Sequence, residues 1–156
     1  METPIKQEQV LAWIDDDLVE SSELIADEAA EFNVLVEMSN IYIHIIRRKP
    51  DGPLLIGQQI EYDDGIRSRI QELSEAARSD LISRIRETLT ATPVVYGFHD
   101  RNGNNVHFAE VHRIFLEHRI YPGSIDQQTL MNGLIEVWKV MRYLDDIFTL
   151  IESVEQ

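Results

Sequence analysis

The chain has 156 residues, 28 acidic against 14 basic, and a formal net charge of −14, a length that suits a single domain spanning 1–156. With 44% hydrophobic and 27% charged residues the composition is globular, and the lack of cysteine excludes a disulfide framework and a thiolate metal site. The acid excess repels nucleic acid and anionic lipid, no apolar run approaches the roughly 20 residues of a membrane helix, and the first residues lack a signal-peptide pattern, so a cytoplasmic protein with neither partner is expected.

Taken in chain order, Thr3-Pro4 reads as an N-cap followed by proline at the first helical position, and Val10, Leu11, Ile14 and Leu18 recur at helical spacing. These predict an amphipathic helix over 4–20. A polar, Ala-containing stretch then carries the chain to Glu31, where the period changes to two. Phe32, Val34, Val36 and Met38 alternate with polar or mixed positions, and Ile41, Ile43 and Ile45 do the same beyond Ser39-Asn40. A two-residue turn there sets Val36 opposite Ile43 and Val34 opposite Ile45, making one sheet face continuously apolar. After the Pro50-Asp51-Gly52-Pro53 turn, Leu54, Ile56, Ile60 and Tyr62 predict a third strand.

Asp63-Asp64 can cap the next element, in which Ile66, Ile70, Leu73, Ala77, Leu81, Ile85 and Leu89 step by three or four. Residues 65–90 are therefore helical, in one piece or in two with Ser74 restarting the helix. Thr92-Pro93 ends it, Val94, Tyr96 and Phe98 form a fourth strand, and Asn102-Gly103 signals a hairpin into a fifth strand from about Val106 to Phe115, extendable to Ile120. The last segment is the most regular: Leu130, Leu134, Val137, Met141, Leu144, Phe148 and Ile151 are spaced 4, 3, 4, 3, 4, 3. That seam, widened by Trp138 and Ile147, predicts a long helix with more apolar surface than one partner layer covers. The expected fold is α+β: an antiparallel five-stranded sheet with three helices in the order α-β-β-β-α-β-β-α. Val137, Met141, Leu144 and Phe148 are the candidate interface of a homodimer.

Charge is unevenly spread. Residues 1–40 hold 11 acidic residues against the single Lys6, whereas 41–156 are nearly balanced, with 17 against 13. This one-sided field is either a solvated face, an adaptation to a salty cytoplasm, or a surface that attracts basic segments.

Catalytic signals are weak. Asp15-Asp16-Asp17 lacks the alternation and glycine of a calcium loop, and there is no phosphate loop, dinucleotide fingerprint or nucleophile elbow. His99 and His107 face each other only if the hairpin loop has three residues, and His112 and His118 lie too far apart along a strand for one ion. His44 reads as a half-exposed sheet residue opposite Leu35, and Arg47-Arg48-Lys49 as a basic turn. No catalytic, cofactor or metal residue is assigned, and the chain is expected not to be an enzyme.

Leu73-Ser74-Glu75-Ala76-Ala77-Arg78 leading to Ile85-Arg86-Glu87-Thr88-Leu89, and Ile120-Tyr121-Pro122-Gly123-Ser124 leading into the last helix, carry a resemblance. With the element order and acidity, the chain resembles an archaeal family of unknown function with a type III secretion chaperone-like fold. The resemblance implies a binding role, that of a small acidic homodimer holding an extended segment of a protein or peptide client without hydrolysing ATP; no cofactor is expected. The expected function is thus a non-enzymatic chaperone- or adaptor-like binding module. The alternative is a small ligand-sensing or enzymatic domain using His99, Asp100 or His107 at the 99–107 hairpin.

Overall fold

A computed structural model describes residues 6–61 and 64–153. Thr3-Pro4, Tyr62 and Asp63 lie outside them, so the helix cap and the strand end expected there fall outside the described residues. The described chain is α+β, with six strands in one antiparallel sheet and four helices. This corrects the expected five strands and three helices. The elements are α1 Gln7–Trp13, β1 Ser21–Leu24, β2 Phe32–Met38, β3 Ile41–Arg47, β4 Leu54–Glu61, α2 Asp64–Glu72, α3 Glu75–Ala91, β5 Val95–His99, β6 Arg113–Ile120 and α4 Gln127–Ser153. The strand order is β1-β2-β3-β4-β6-β5.

Each departure from the expected order has a local cause. The first helix stops at Trp13 because Ile14 is extended and the Asp15 carboxylate takes the backbone N–H of Asp17 at 2.9 Å. A short acidic side chain that satisfies its own backbone competes with the helix. The freed chain supplies the extra strand, β1, which pairs in full register with β2 from Ser21↔Glu37 to Leu24↔Val34. The second helical segment divides because the Ser74 hydroxyl accepts the N–H of Ala77 at 3.1 Å and restarts a helix. The last strand begins at Arg113 rather than near Val106. Asp100 collects the N–H groups of Asn102 and Asn104, both at 2.9 Å, and a short 3-10 turn, Phe108–Glu110, follows.

Contacts divide the chain into two compact units, Met1–Gln58 with Glu117–Trp138, and Gln59–Leu116 with Lys139–Gln156. In the first, Ser39 and Asn40 both have positive φ (49° and 66°), the geometry of a two-residue hairpin turn whose twist suits antiparallel strands. The resulting register places Val36 opposite Ile43 and Val34 opposite Ile45, as the alternation predicts. All four are buried, with Ile56, Leu130, Leu134 and Val137. The helix arriving on that face starts with a reciprocal cap: Asp126 Oδ1 accepts from Thr129 N at 2.8 Å, and Thr129 Oγ1 accepts from Asp126 N at 2.9 Å. The second unit buries Ile66, Ile70, Ile85, Leu89, Phe98 and Phe108, with Phe98 and Phe108 edge to face at 5.5 Å.

Candidate functional site

β1 lies first in the sheet order, and all four of its residues are exposed. Among the described residues no strand pairs with its outer side. The N–H of Ile25 donates to Asn33 O at 2.8 Å in continuation of the β1–β2 register. In an antiparallel ladder the donors alternate between the two sides. Glu23 and Ser21 therefore turn inward to β2, while Ser22 and Leu24 direct their N–H and C=O groups outward. Leu24 is 49% exposed and Leu18 is exposed close before the strand. Glu20 and Glu23 flank this edge, and Glu20 caps the β2–β3 turn by accepting the N–H of Ser39 at 3.0 Å. The sheet edge is thus open, short and acidic, with one apolar side chain on it.

Behind the edge runs a polar relay that the sequence pattern did not separate from an ordinary polar face. Asn33, 7% exposed, uses both ends of its amide. Its Oδ1 lies 2.9 Å from His44 Nδ1, and its Nδ2 donates to Asp27 Oδ2 at 3.3 Å. Because an amide oxygen only accepts, His44 carries its proton on Nδ1 and presents the Nε2 lone pair on the other side of the ring. Burial holds the His44 imidazole below its ordinary value, with the Asp27 carboxylate opposing in part. Asp27 also accepts the N–H of Ala29 at 3.0 Å. The relay therefore ties the loop after β1 to the centre of the sheet.

The histidines near the second turn are distributed rather than gathered. His99 bridges to Asn105, not to His107, and stacks on Phe115 at 6.4 Å. His107 is exposed at the start of the 3-10 turn. His112 Nε2 accepts from Arg67 Nη1 at 2.6 Å, since arginine has only donors, and Arg101 grips both oxygens of Asp64 at 2.6 and 2.7 Å. Both of these bonds come from one guanidinium nitrogen, Nη2 of Arg101, and they hold the Asp64 carboxyl below its ordinary value, as the backbone N–H of Asn104 does for Asp100. These bonds fasten the 99–113 segment to α2. Among the described residues no group of three or more His, Asp or Glu is placed to hold a metal ion.

Val137, Met141, Leu144 and Phe148 are 0%, 9%, 0% and 6% exposed within the single chain. Their side chains are already covered by this chain's own packing. Arg48 and Lys49 are exposed beside the Pro50 turn, whereas Arg47 is 4% exposed, on the core-side face opposite Phe32 and Leu54. A cavity of about 310 Å3 is lined by Arg47 and Phe32 together with Lys6, Gln7, Glu8, Glu31 and Pro50. A cation at an apolar register position was the available sequence signal, since Ile41, Ile43 and Ile45 set that parity. Among the described residues no helix is long and apolar enough to cross a membrane.

The fold is shared with a protein of known structure. The crystal structure of an uncharacterized protein from Methanothermobacter thermautotrophicus superimposes with a TM-score of 0.73, covering 93% of this chain and 97% of that one at 18% identity. A search of curated proteins finds no match. Residues 6–148 match the model of an uncharacterized conserved protein family, DUF2299, and the chain belongs to that family.

Proposed function

We propose that this protein is a non-enzymatic binding module, chaperone- or adaptor-like, that takes an extended basic polypeptide segment onto the outer edge of β1 as an added strand. The observation that carries the reading is the open edge itself. Ser22 and Leu24 offer the donors and acceptors of a ladder, and an extended chain is the ligand that satisfies them in order. Charge selects the occupant. Glu20 and Glu23 stand at the edge, within a segment of 40 residues holding 11 carboxylates against one lysine. A second copy pairing β1 with β1 would bring like charges together, which costs stability at directly opposed positions. A partner strand with Lys or Arg on one face and apolar residues on the other meets Glu23 and Leu24 in turn.

The test is fluorescence anisotropy with a labelled peptide of alternating lysine and valine. Saturable binding is expected, with loss of binding in the Ser22→Pro and Leu24→Pro variants. Each removes an outward N–H and leaves the inner ladder in place. Equal binding by folded Ser22→Pro and Leu24→Pro proteins would remove the edge from the mechanism.

A further inference from the structure

An asparagine side chain and the backbone nitrogen that follows it can close a ring when the two meet. A glycine in the next position leaves the approach uncrowded, and the local backbone must be able to leave its folded conformation. Asn102 and Asn132 each precede a glycine, and both are exposed. The fold holds the two pairs differently. Gly133 lies within α4, where its N–H belongs to the helix ladder. Its backbone is packed so closely that a Cβ would lie 2.7 Å from His118 Cδ2 and Ile56 Cδ1, and Asn132 Oδ1 accepts from Gln128 Nε2 at 3.0 Å. Asn102-Gly103 stands instead at the tip of a turn. Gly103 has a φ of 83°, with nothing within 4 Å of the place a Cβ would take. Among the described residues no partner holds the Asn102 side-chain amide. One bond restrains the attacking nitrogen: the Gly103 N–H donates to Asp100 O at 3.1 Å. Opening that tip costs little beside unwinding α4 next to the buried Leu130 and Leu134.

We infer that Asn102-Gly103 is a self-modification site, at which Asn102 is converted to aspartate and isoaspartate with water as the only co-reactant. The Gly103 nitrogen attacks Asn102 Cγ. The new N–C bond forms as the Cγ–Nδ2 bond breaks, and the proton of the attacking nitrogen leaves with Nδ2 as ammonia. Water then opens the resulting succinimide, at Cγ to give aspartate or at the main-chain carbonyl to give isoaspartate. No atom is oxidised or reduced. Either product adds a carboxylate beside Asp100, and isoaspartate also inserts a methylene into the main chain. Asp100 Oδ1 holds the N–H groups of Asn102 and Asn104 at 2.9 Å each, and the Asp100 N–H donates to Asn104 O at 3.0 Å. A longer chain between these residues cannot keep that set of bonds, so isoaspartate loosens the turn leading to Val106. The site stands on observations independent of the β1 edge.

The test ages the whole chain in mildly alkaline buffer, folded and in urea, and follows its peptides by mass spectrometry. In the folded protein Asn102 is expected to convert at least about tenfold faster than Asn132, because the opening of α4 adds to the barrier at Asn132. In urea the two are expected to react at similar rates. Hydroxylamine is expected to cleave the aged chain between Asn102 and Gly103, where the succinimide forms. Aged protein is also expected to exchange the amide hydrogens of Asn104 and Val106 faster than fresh protein. An Asn102 that stays intact in the folded chain while reacting in urea, or an Asn132 that keeps pace with it, would overturn the inference. Unchanged exchange at Asn104 and Val106 in protein carrying isoaspartate would overturn its effect on the turn.

Discussion

At the scale of single residues, His44 links the sheet to pH. Its imidazole is held below the ordinary value of 6.5 by burial, so the unfolded chain takes up that proton before the folded one does. Between 6.5 and the lower folded value the unfolded state binds more protons, and stability rises with pH through that window. The contribution is complete above 6.5 and is lost as the pH falls. Asp64 and Asp100 act in a separate, lower window. Their depressed values give stability that is present above the ordinary 3.8 and lost as the pH falls through the folded values. Urea midpoints measured against pH for the wild type and His44→Gln are expected to converge below the His44 window and separate above it. Parallel curves would show that His44 does not contribute. Gly133 makes a second point at this scale. Glycine inside a helix costs about 1 kcal/mol relative to alanine, yet a Cβ there would lie 2.7 Å from both His118 Cδ2 and Ile56 Cδ1. The close approach outweighs the propensity gain, and Gly133→Ala is expected to lower stability by about 1–2 kcal/mol. A raised melting temperature would contradict the packing argument.

At the scale of elements, the α4 seam and the β2–β3 hairpin were legible because periodicity and burial agree in them. Leu130, Leu134, Val137, Met141, Leu144 and Phe148 are all buried, as their spacing implies. A buried carboxylate at the centre of that seam has neither water nor a cation. Val137→Asp is therefore expected to cost about 3–5 kcal/mol and to leave little folded protein by circular dichroism. A folded variant with near-native stability would mean that α4 tolerates water at Val137. β1 was not legible: Ser21-Ser22-Glu23-Leu24 has no apolar alternation, and it is a strand because β2 offers it a ladder. That is a tertiary cause, invisible to local propensity. The first helix was overextended for the complementary reason, since Val10, Ile14 and Leu18 keep a helical spacing through a turn set by the Asp15 carboxylate. The relay of Asp27, Asn33 and His44 was hidden differently. Asn33 and His44 each suit a polar sheet face alone, the β2–β3 register sets them diagonally adjacent, and Asp27 joins them from the loop after β1, which no local pattern marks.

At the scale of the whole molecule, the acid excess acts on stability and on binding with opposite signs. A net charge of −14 on 156 residues, concentrated in the first 40, makes the folded chain repel itself. Salt shortens the reach of that repulsion, from about 10 Å at 0.1 M to about 3 Å at 1 M ionic strength. The melting temperature is accordingly expected to rise as sodium chloride is added. The same screening removes the attraction between Glu20, Glu23 and a basic strand. Affinity for the lysine–valine peptide is thus expected to fall over the same range, mainly through slower association. Backbone pairing at the edge is much less sensitive to salt, so a neutral serine–valine peptide separates the two contributions. Its weaker binding should stay nearly constant while that of the basic peptide declines toward it. A basic peptide whose affinity is indifferent to salt would leave β1 as an edge without charge selection. The concentration of carboxylates in residues 1–40 would then act on solubility alone.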